Sequence, residues 1–430
     1  MELPLALGVS GLSAVWAWQT QVFQVFRYWD ADHYFLLTQQ LAAGETVTAA
    51  APYAYRKLAP WIVAQCCGSD IQRGFLFLNL AAGASLAVLL ALWLRGFVQS
   101  AGIRLLIVAA FALQWHAPLR FAFYYPVYID PLFQVFLLAA LIVGERLTAQ
   151  SAAIAGAAYV VLVAAGTYAR EVMLVVPMCA LAGAVVSRRG GSYRWPALAL
   201  AAGIAAFMAA RINTNPAGGY RFLDAVALHL ANKPVESLAL VWFIAFGPLL
   251  AVVLFDWRAT LAFLSRRLDL ALMPLAFVVL SYIGGHDTER YLFWAMPVVY
   301  LLIAQSLERH RALVSAPLVA GLLIVSQALS QRVFWPVPDP GTAVAPLADA
   351  VSMSAQLYAI ANRVFVIDDF HWNLWSNFGS RPFHLVQLAH YVAVSAAIVV
   401  LMQRRSRGRA EARPYDSGNA RPYESGVVAQ

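Results

Sequence analysis

Five short segments of this chain place acids, bases and aromatic side chains close enough together to do chemistry. The densest is Arg27-Tyr-Trp-Asp30-Ala-Asp32-His33-Tyr34, with two carboxylates, a histidine and an arginine in eight residues. A carboxylate there could act as general base towards a sugar hydroxyl, or ligate a divalent cation. In a helix Asp30 and Tyr34 share a face while Asp32 points elsewhere. A charged helix end that stops a span from sliding into lipid is the plainer account, and the density of the cluster favours chemistry over it.

The other four segments are sparser. Pro52-Tyr-Ala-Tyr55-Arg56-Lys57-Leu-Ala-Pro60 sets two cations between aromatics, which suits a phosphate at headgroup level as well as interfacial snorkelling. Tyr124-Tyr125-Pro126-Val-Tyr128-Ile-Asp130-Pro131 ends on an acid that opens a helix. Asp before Pro is a good cap, and a second acid near the first would also serve metal or acceptor binding. Gly166-Thr167-Tyr168-Ala169-Arg170-Glu171 separates two runs of nearly pure Ala, Val and Leu. Its charges must lie near the hydrocarbon boundary, where mutual pairing and recognition of a lipid-linked phosphate both fit. In Gly284-Gly285-His286-Asp287-Thr288-Glu289-Arg290-Tyr291, an arginine at a helix start opposes the macrodipole and calls for an anion. That anion is Asp287, Glu289 or a ligand.

The elements that carry these segments follow from composition. Of 430 residues 61% are hydrophobic and only 12% charged, and mean hydropathy is +0.66. A soluble domain of this size needs more charge to cover its surface. Apolar runs of about 17–22 residues match a bilayer core. Helices satisfy their own backbone groups in lipid and open sheets do not. The expected fold is therefore all-α: a polytopic integral membrane protein of about 12 transmembrane helices, whose periplasmic loops carry short interfacial helices. Spans are expected to start near Leu5, Phe75, Leu105, Val127, Ala152, Glu171, Trp195, Leu238, Leu270, Tyr291, Val314 and Val386. The first run, from about Leu3 to Phe26, lacks a basic leader and an A-x-A site and reads as a retained span.

Arginines then orient the chain. Arg95, Arg104, Arg146, Arg188, Arg189, Arg194, Arg258, Arg266, Arg267, Arg309 and Arg311 fall in alternate loops with the tail cluster Arg404–Arg409. By the positive-inside rule these loops and both termini are cytoplasmic, and all five chemical segments lie on the periplasmic face. Residues 1–403 form the transmembrane domain, with long, aromatic-rich periplasmic loops at 27–73 and 331–383. Residues 404–430 read as a disordered cytoplasmic tail, with a tandem repeat at Ala412–Gly418 and Ala420–Gly426. The formal charge of +8 is accounted for by these topology signals, so no nucleic-acid partner is expected. Cys66, Cys67 and Cys179 have no metal-ligand or CxxC spacing. No P-loop, dinucleotide glycine motif, HExxH or GxSxG occurs in a fitting context, so ATP hydrolysis and redox chemistry have no support.

With those residues in place, Arg27–Tyr34 resembles the W-D-A-x-H-[FY] region after the first span of GPI mannosyltransferases and their bacterial relatives, members of the GT-C glycosyltransferase superfamily. Tyr55-Arg56-x-Leu58-x-Pro60, Asp130-Pro131, Arg170-Glu171 and Asp287-Thr288-Glu289-Arg290 are similar to features of bacterial members. The resemblance implies a GT-C-like fold in the bacterial inner membrane and a transferase using a polyprenyl-phosphate-linked sugar. It implies Asp30 as catalytic base, with Asp32 in reserve, and a Mg or Mn ion held by Asp30 and Asp130. Arg56, Arg170 and Arg290 are then the donor phosphate ligands. His33, Tyr34, Tyr125, Asp130, Glu171, Asp287, Glu289 and His371 are candidates for acceptor contact, the acceptor being a glycan, lipid or protein. The chain departs from the pattern in lacking a large soluble C-terminal domain, so the 331–383 loop, with Asp368, Asp369 and His371, is expected to supply acceptor contacts. A transporter or lipid flippase is a rival reading, but ionisable residues sit at span ends and no repeated halves are evident. A glycan polymerase or ligase shares the arginines and large loops, and the aspartates after the first span favour the transferase.

Overall fold

Residues 2–20, 30–68, 70–147, 152–186, 193–218, 221–233, 235–285, 287–331, 333 and 381–411 are described by a computed structural model. Among the described residues the fold is all-helical, with one isolated β-bridge between Val47 and Thr214 and no strand. Among the described residues four helices are long and apolar enough to cross a membrane: Ile71–Arg95, Ala101–Tyr124, Thr288–Arg309 and His384–Arg404. Shorter apolar helices of 10–17 residues pack with them, among them Asp130–Gly144, Glu171–Val186 and Leu268–Ile283. The expected class is thus met, while the count of about twelve spans is not reached by length and composition. Helix Glu2–Thr20 is the described part of the first span expected from about Leu3 to Phe26 and is not among the four; the rest of that run lies outside the described residues.

Two groups of charges sit at opposite ends of the bundle, and helix length separates them. Thr288–Arg309 carries Arg290 near its start and Arg309 at its end, about 28 Å apart at the α-helical rise. Asp130–Gly144 begins at Asp130 and is capped by Glu145. At the far end, Glu2 bonds Arg104 at 2.6 Å and Arg95 at 3.2 Å. Glu308 accepts from the Ser100 amide at 3.2 Å. Asp256 gathers Ser306, Arg309 and His310 within 3.1 Å. Arg267 pairs with Glu145 and Asp269 and lies over the Phe97 ring. Several of the loops that the arginine pattern assigned to one side therefore meet at this end, where Glu2, Glu145, Asp256 and Asp269 neutralise Arg95, Arg104, Arg267 and Arg309.

A helix that stops inside the bundle must find donors for its last carbonyls. Ser237–Phe246 stops at Gly247, whose φ of 73° and ψ of −176° suit only glycine. Three buried glutamines cover the break. Gln114 donates to the Ile244 carbonyl at 2.7 Å, Gln327 to Phe246 at 3.2 Å and Gln331 to Phe243 at 3.3 Å. A Cβ at Gly247 would lie 2.1 Å from Oε1 of Gln327. Gly247→Ala is expected to destabilise the protein by about 1–3 kcal/mol from backbone strain and the lost cap, read as a lower Tm in detergent.

The loop at 27–73 is ordered where described, as its aromatic content suggested. It folds into helix Asp30–Ala43, a 3-10 turn Tyr53–Tyr55 and helix Leu58–Cys67. Backbone bonds between Val47 and residues Asn213 and Asn215 pin it at 3.1 and 2.8 Å. The last helix runs Arg381–Glu411, so the tail boundary expected at 404 falls inside it. Arginines are good helix formers, and the helix continues past its apolar edge. The tandem repeat, and almost all of the 331–383 loop including Asp368, Asp369 and His371, lie outside the described residues.

Candidate functional site

All five segments contribute to one charged cluster at the end of the bundle opposite the Glu2 and Asp256 groups. Asp30 is the first residue of its helix, so its carboxylate projects beyond the helix end. Its Oδ2 takes a hydrogen bond from Arg290 at 2.8 Å, and its Oδ1 takes one from the Tyr53 hydroxyl at 2.9 Å. The Ala31 amide donates to the Tyr125 hydroxyl at 2.7 Å. Tyr34, one turn on, is buried and accepts from Arg56 at 3.2 Å. Asp32 lies on the exposed side of the same helix. His33 stacks on Tyr53 with ring centroids 4.4 Å apart.

Arg170 and Glu171 do not pair with each other. The backbone at Arg170 is extended, with φ −160° and ψ 127°, and an extended residue sends neighbouring side chains to opposite faces. Arg170 pairs with Asp130, both side chains 3% exposed. Glu171 pairs with Arg56, whose Nε reaches it at 3.0 Å. Arg290 joins the two sets. Its Nε is 3.5 Å from Asp130 and its Nη2 is 3.2 Å from Asp287. Of the anions anticipated for Arg290, Asp287 is thus one of three it meets, with Asp30 and Asp130. Glu289 is fully buried one residue away.

Aromatic rings fill the spaces between the guanidinium groups. Arg170 lies over Trp294 at 4.4 Å and over Tyr291 at 5.3 Å, and Arg290 lies over Tyr291 at 5.2 Å. Gly285 makes that arrangement possible, since a Cβ there would lie 2.7 Å from the Tyr291 ring. Sequence reasoning singled out neither Tyr53, Tyr291 nor Trp294. In a chain that is 13% aromatic their type is no signal, although Tyr291 and Trp294 sit one and four residues after Arg290 on one helix edge. Lys57, paired in sequence with Arg56, is instead used structurally: its Nζ donates to the Ile212 carbonyl at 2.8 Å. A second lysine missed by sequence, Lys233, donates to the carbonyls of Ser281 and Tyr282 at 2.8 and 2.7 Å. Burial lowers its pKa to about 8, against the opposing charges of Glu289 and Asp287.

Electrostatics set the state of Asp30. Burial alone would raise its pKa, but the Arg290 charge and hydrogen bond, the Tyr53 hydroxyl and the Arg56 charge outweigh it. The net effect holds the carboxyl below its usual value, so Asp30 is ionised at neutral pH. A depressed pKa contributes stability that is present above the unfolded value and lost as pH falls through the folded one. The Tm gap between wild type and Asp30→Asn is therefore expected to be widest near neutrality and to close below about pH 4, measured by thermal unfolding across pH.

The cation role suggested for Asp30 and Asp130 finds a different environment. Both carboxylates face guanidinium groups, Asp30 that of Arg290 and Asp130 those of Arg170 and Arg290. Among the described residues no group of three His, Cys, Asp or Glu side chains is placed to hold a metal. Of the carboxylate oxygens that a cation would take, Asp30 Oδ2 and both oxygens of Asp130 already face arginines, and Asp30 Oδ1 takes the Tyr53 hydroxyl.

Three guanidinium groups, Arg56, Arg170 and Arg290, thus face four carboxylates, Asp30, Asp130, Glu171 and Asp287. Exposure is graded across them: Asp130 and Arg170 are sealed, whereas Asp30, Asp287 and Glu171 are 18%, 25% and 31% exposed. The arrangement can hold an anion against buried cations at its inner side and present an ionised carboxylate at its outer edge. Comparison with protein-family models, curated proteins and solved structures returned no match, and the reading of the site rests on this geometry.

Proposed function

We propose that this chain is a membrane glycosyltransferase with a GT-C-like fold, moving a sugar from a polyprenyl-phosphate donor to a periplasmic or lipid-linked acceptor. The observation that carries the reading is the convergence of Asp30, Arg170 and Arg290, from three distant parts of the sequence, through contacts with Asp130 and with one another. On this reading the chain has about twelve spans, both termini are cytoplasmic, and the cluster faces the periplasm of a bacterial inner membrane. The arrangement of charges supports that orientation, because the arginine-rich loops gather at the other end.

The chemistry follows from which groups are where. The donor phosphate lies against Arg290 and Arg170, with Arg56 beside it. Asp30 takes the proton of the acceptor hydroxyl as that oxygen bonds the anomeric carbon with inversion. The bond from that carbon to the phosphate oxygen breaks, and its electron pair leaves on the phosphate, where the guanidinium charges stabilise it. Once the phosphate engages Arg290, Asp30 loses its strongest cationic partner and becomes a better base. His33, Tyr34, Tyr125, Glu171 and Glu289 are left to shape the acceptor side, and Asp32, on the exposed side, is the less favoured base.

A panel of defined polyprenyl-phosphate sugars, mixed with the purified chain and assayed for sugar transfer and donor hydrolysis, tests the proposal. Turnover of at least one donor is expected. No turnover of any donor, together with movement of a lipid-linked sugar across vesicle membranes, would instead favour the flippase reading.

A further inference from the structure

We propose that Tyr53 is the positioning residue of the base, its hydroxyl keeping the Asp30 carboxylate in place when Arg290 turns to the donor phosphate. The inference rests on the transferase reading of this cluster. Asp30 is held at both oxygens, by Arg290 on Oδ2 at 2.8 Å and by the Tyr53 hydroxyl on Oδ1 at 2.9 Å. A donor phosphate competes for the first contact, because Arg290 is a cation. The second partner carries no charge, so an arriving anion pulls on it less. Oδ2 is thereby freed to take the proton of the acceptor hydroxyl, while Oδ1 stays bonded to Tyr53.

The helix that begins at Asp30 grips Tyr53 with one face. Residues i, i+3 and i+4 of a helix lie together, and Asp30, His33 and Tyr34 stand at those positions. Asp30 takes the hydroxyl. His33 stacks on the ring with centroids 4.4 Å apart and planes 13° from parallel, and Tyr34 meets it edge-on at 5.6 Å. The Arg56 guanidinium lies 5.7 Å from the ring centre. Backbone bonds fix the other end of the side chain: Tyr53 opens the 3-10 turn, and its carbonyl accepts from the Arg56 amide at 3.0 Å. A ring held by its face, its edge and its backbone has little freedom to swing, so its hydroxyl defines where the carboxylate sits. Burial, and then the Asp30 charge, push the pKa of the phenol up, so it stays protonated and remains a donor.

The test is turnover of the polyprenyl-phosphate sugar panel by the full chain in detergent, followed as kcat and donor KM across pH. Tyr53→Phe keeps the ring in its socket and removes only the hydroxyl. It is expected to lower kcat about ten- to hundredfold, the size of a hydrogen bond to a charged group, with donor KM little changed. The deficit is expected to deepen as pH falls towards about 5, because a carboxylate that has lost this donor takes up a proton sooner. His33→Ala keeps the hydroxyl but uncovers the ring, and is expected to lower kcat by a smaller factor. Thermal unfolding checks that each variant is folded. Unchanged kcat in Tyr53→Phe, or a loss that is the same at every pH, as mere packing would give, overturns this inference and leaves the transferase reading standing. If the wild-type chain turns over no donor, that reading falls and the inference with it.

Discussion

Asp30→Asn is expected to abolish sugar transfer while the chain remains folded and inserted in membranes. Asparagine keeps the size of the side chain; its oxygen can still accept from Arg290 while its NH2 donates to the Tyr53 hydroxyl oxygen, in place of the bonds that now hold Asp30 at 2.8 and 2.9 Å. What it loses is the capacity to take a proton. A positioned general base contributes about 10²- to 10⁴-fold, so kcat should fall by that factor with little change in donor affinity. Asp32→Asn is the matched control. Asp32 lies two residues on and exposed, pointing away from Arg290, and its loss should leave kcat nearly unchanged. The opposite pattern, with Asp30→Asn active and Asp32→Asn dead, would transfer the base role to Asp32.

That contrast between neighbouring aspartates was legible in the sequence because helical geometry decides it. Residues two apart on a helix point nearly opposite ways, whereas Asp30 and Tyr34 share a face, and the structure puts Tyr34 inside with Arg56 and Asp32 outside. That the five segments lie at one end of the bundle was legible for an energetic reason. Ionisable groups at the edge of hydrocarbon are costly unless they face protein or water, so those at one end of the spans tend to be gathered together.

Pairing within the cluster was not legible. Arg170 next to Glu171 reads as a local pair, but the extended backbone at Arg170 turns the two side chains apart, and the partners Asp130 and Arg56 come from 40 and 115 residues away. Nothing local encodes such a choice. The break at Gly247 was equally hard to read, because residues 237–255 make one apolar run in the sequence. The structure interrupts it between helices Ser237–Phe246 and Leu250–Phe255, and three glutamines cover the break. They come from segments that flank other apolar runs, where a glutamine attracts no notice.

The second large effect is expected at the sealed pair. Arg170→Met should both destabilise the fold and remove activity, because it strands Asp130 among apolar side chains with only the 3.5 Å contact to Arg290. Breaking a buried ion pair by removing one partner costs about 3–5 kcal/mol, whereas replacing both partners by apolar residues is often nearly neutral. Asp130→Leu combined with Arg170→Met is therefore expected to recover most of the lost Tm. Trp294, now covered by the guanidinium at 4.4 Å, would pack against the methionine instead. If the pair only holds helices Asp130–Gly144 and Ala152–Ala169 together, activity should return with stability in the double variant. If Arg170 also stabilises the departing phosphate, the double variant should be stable and inactive, with the loss in kcat about 10²-fold or more. Thermal unfolding and turnover measured on the same preparations separate the two roles, and the stable, inactive outcome is the one expected here.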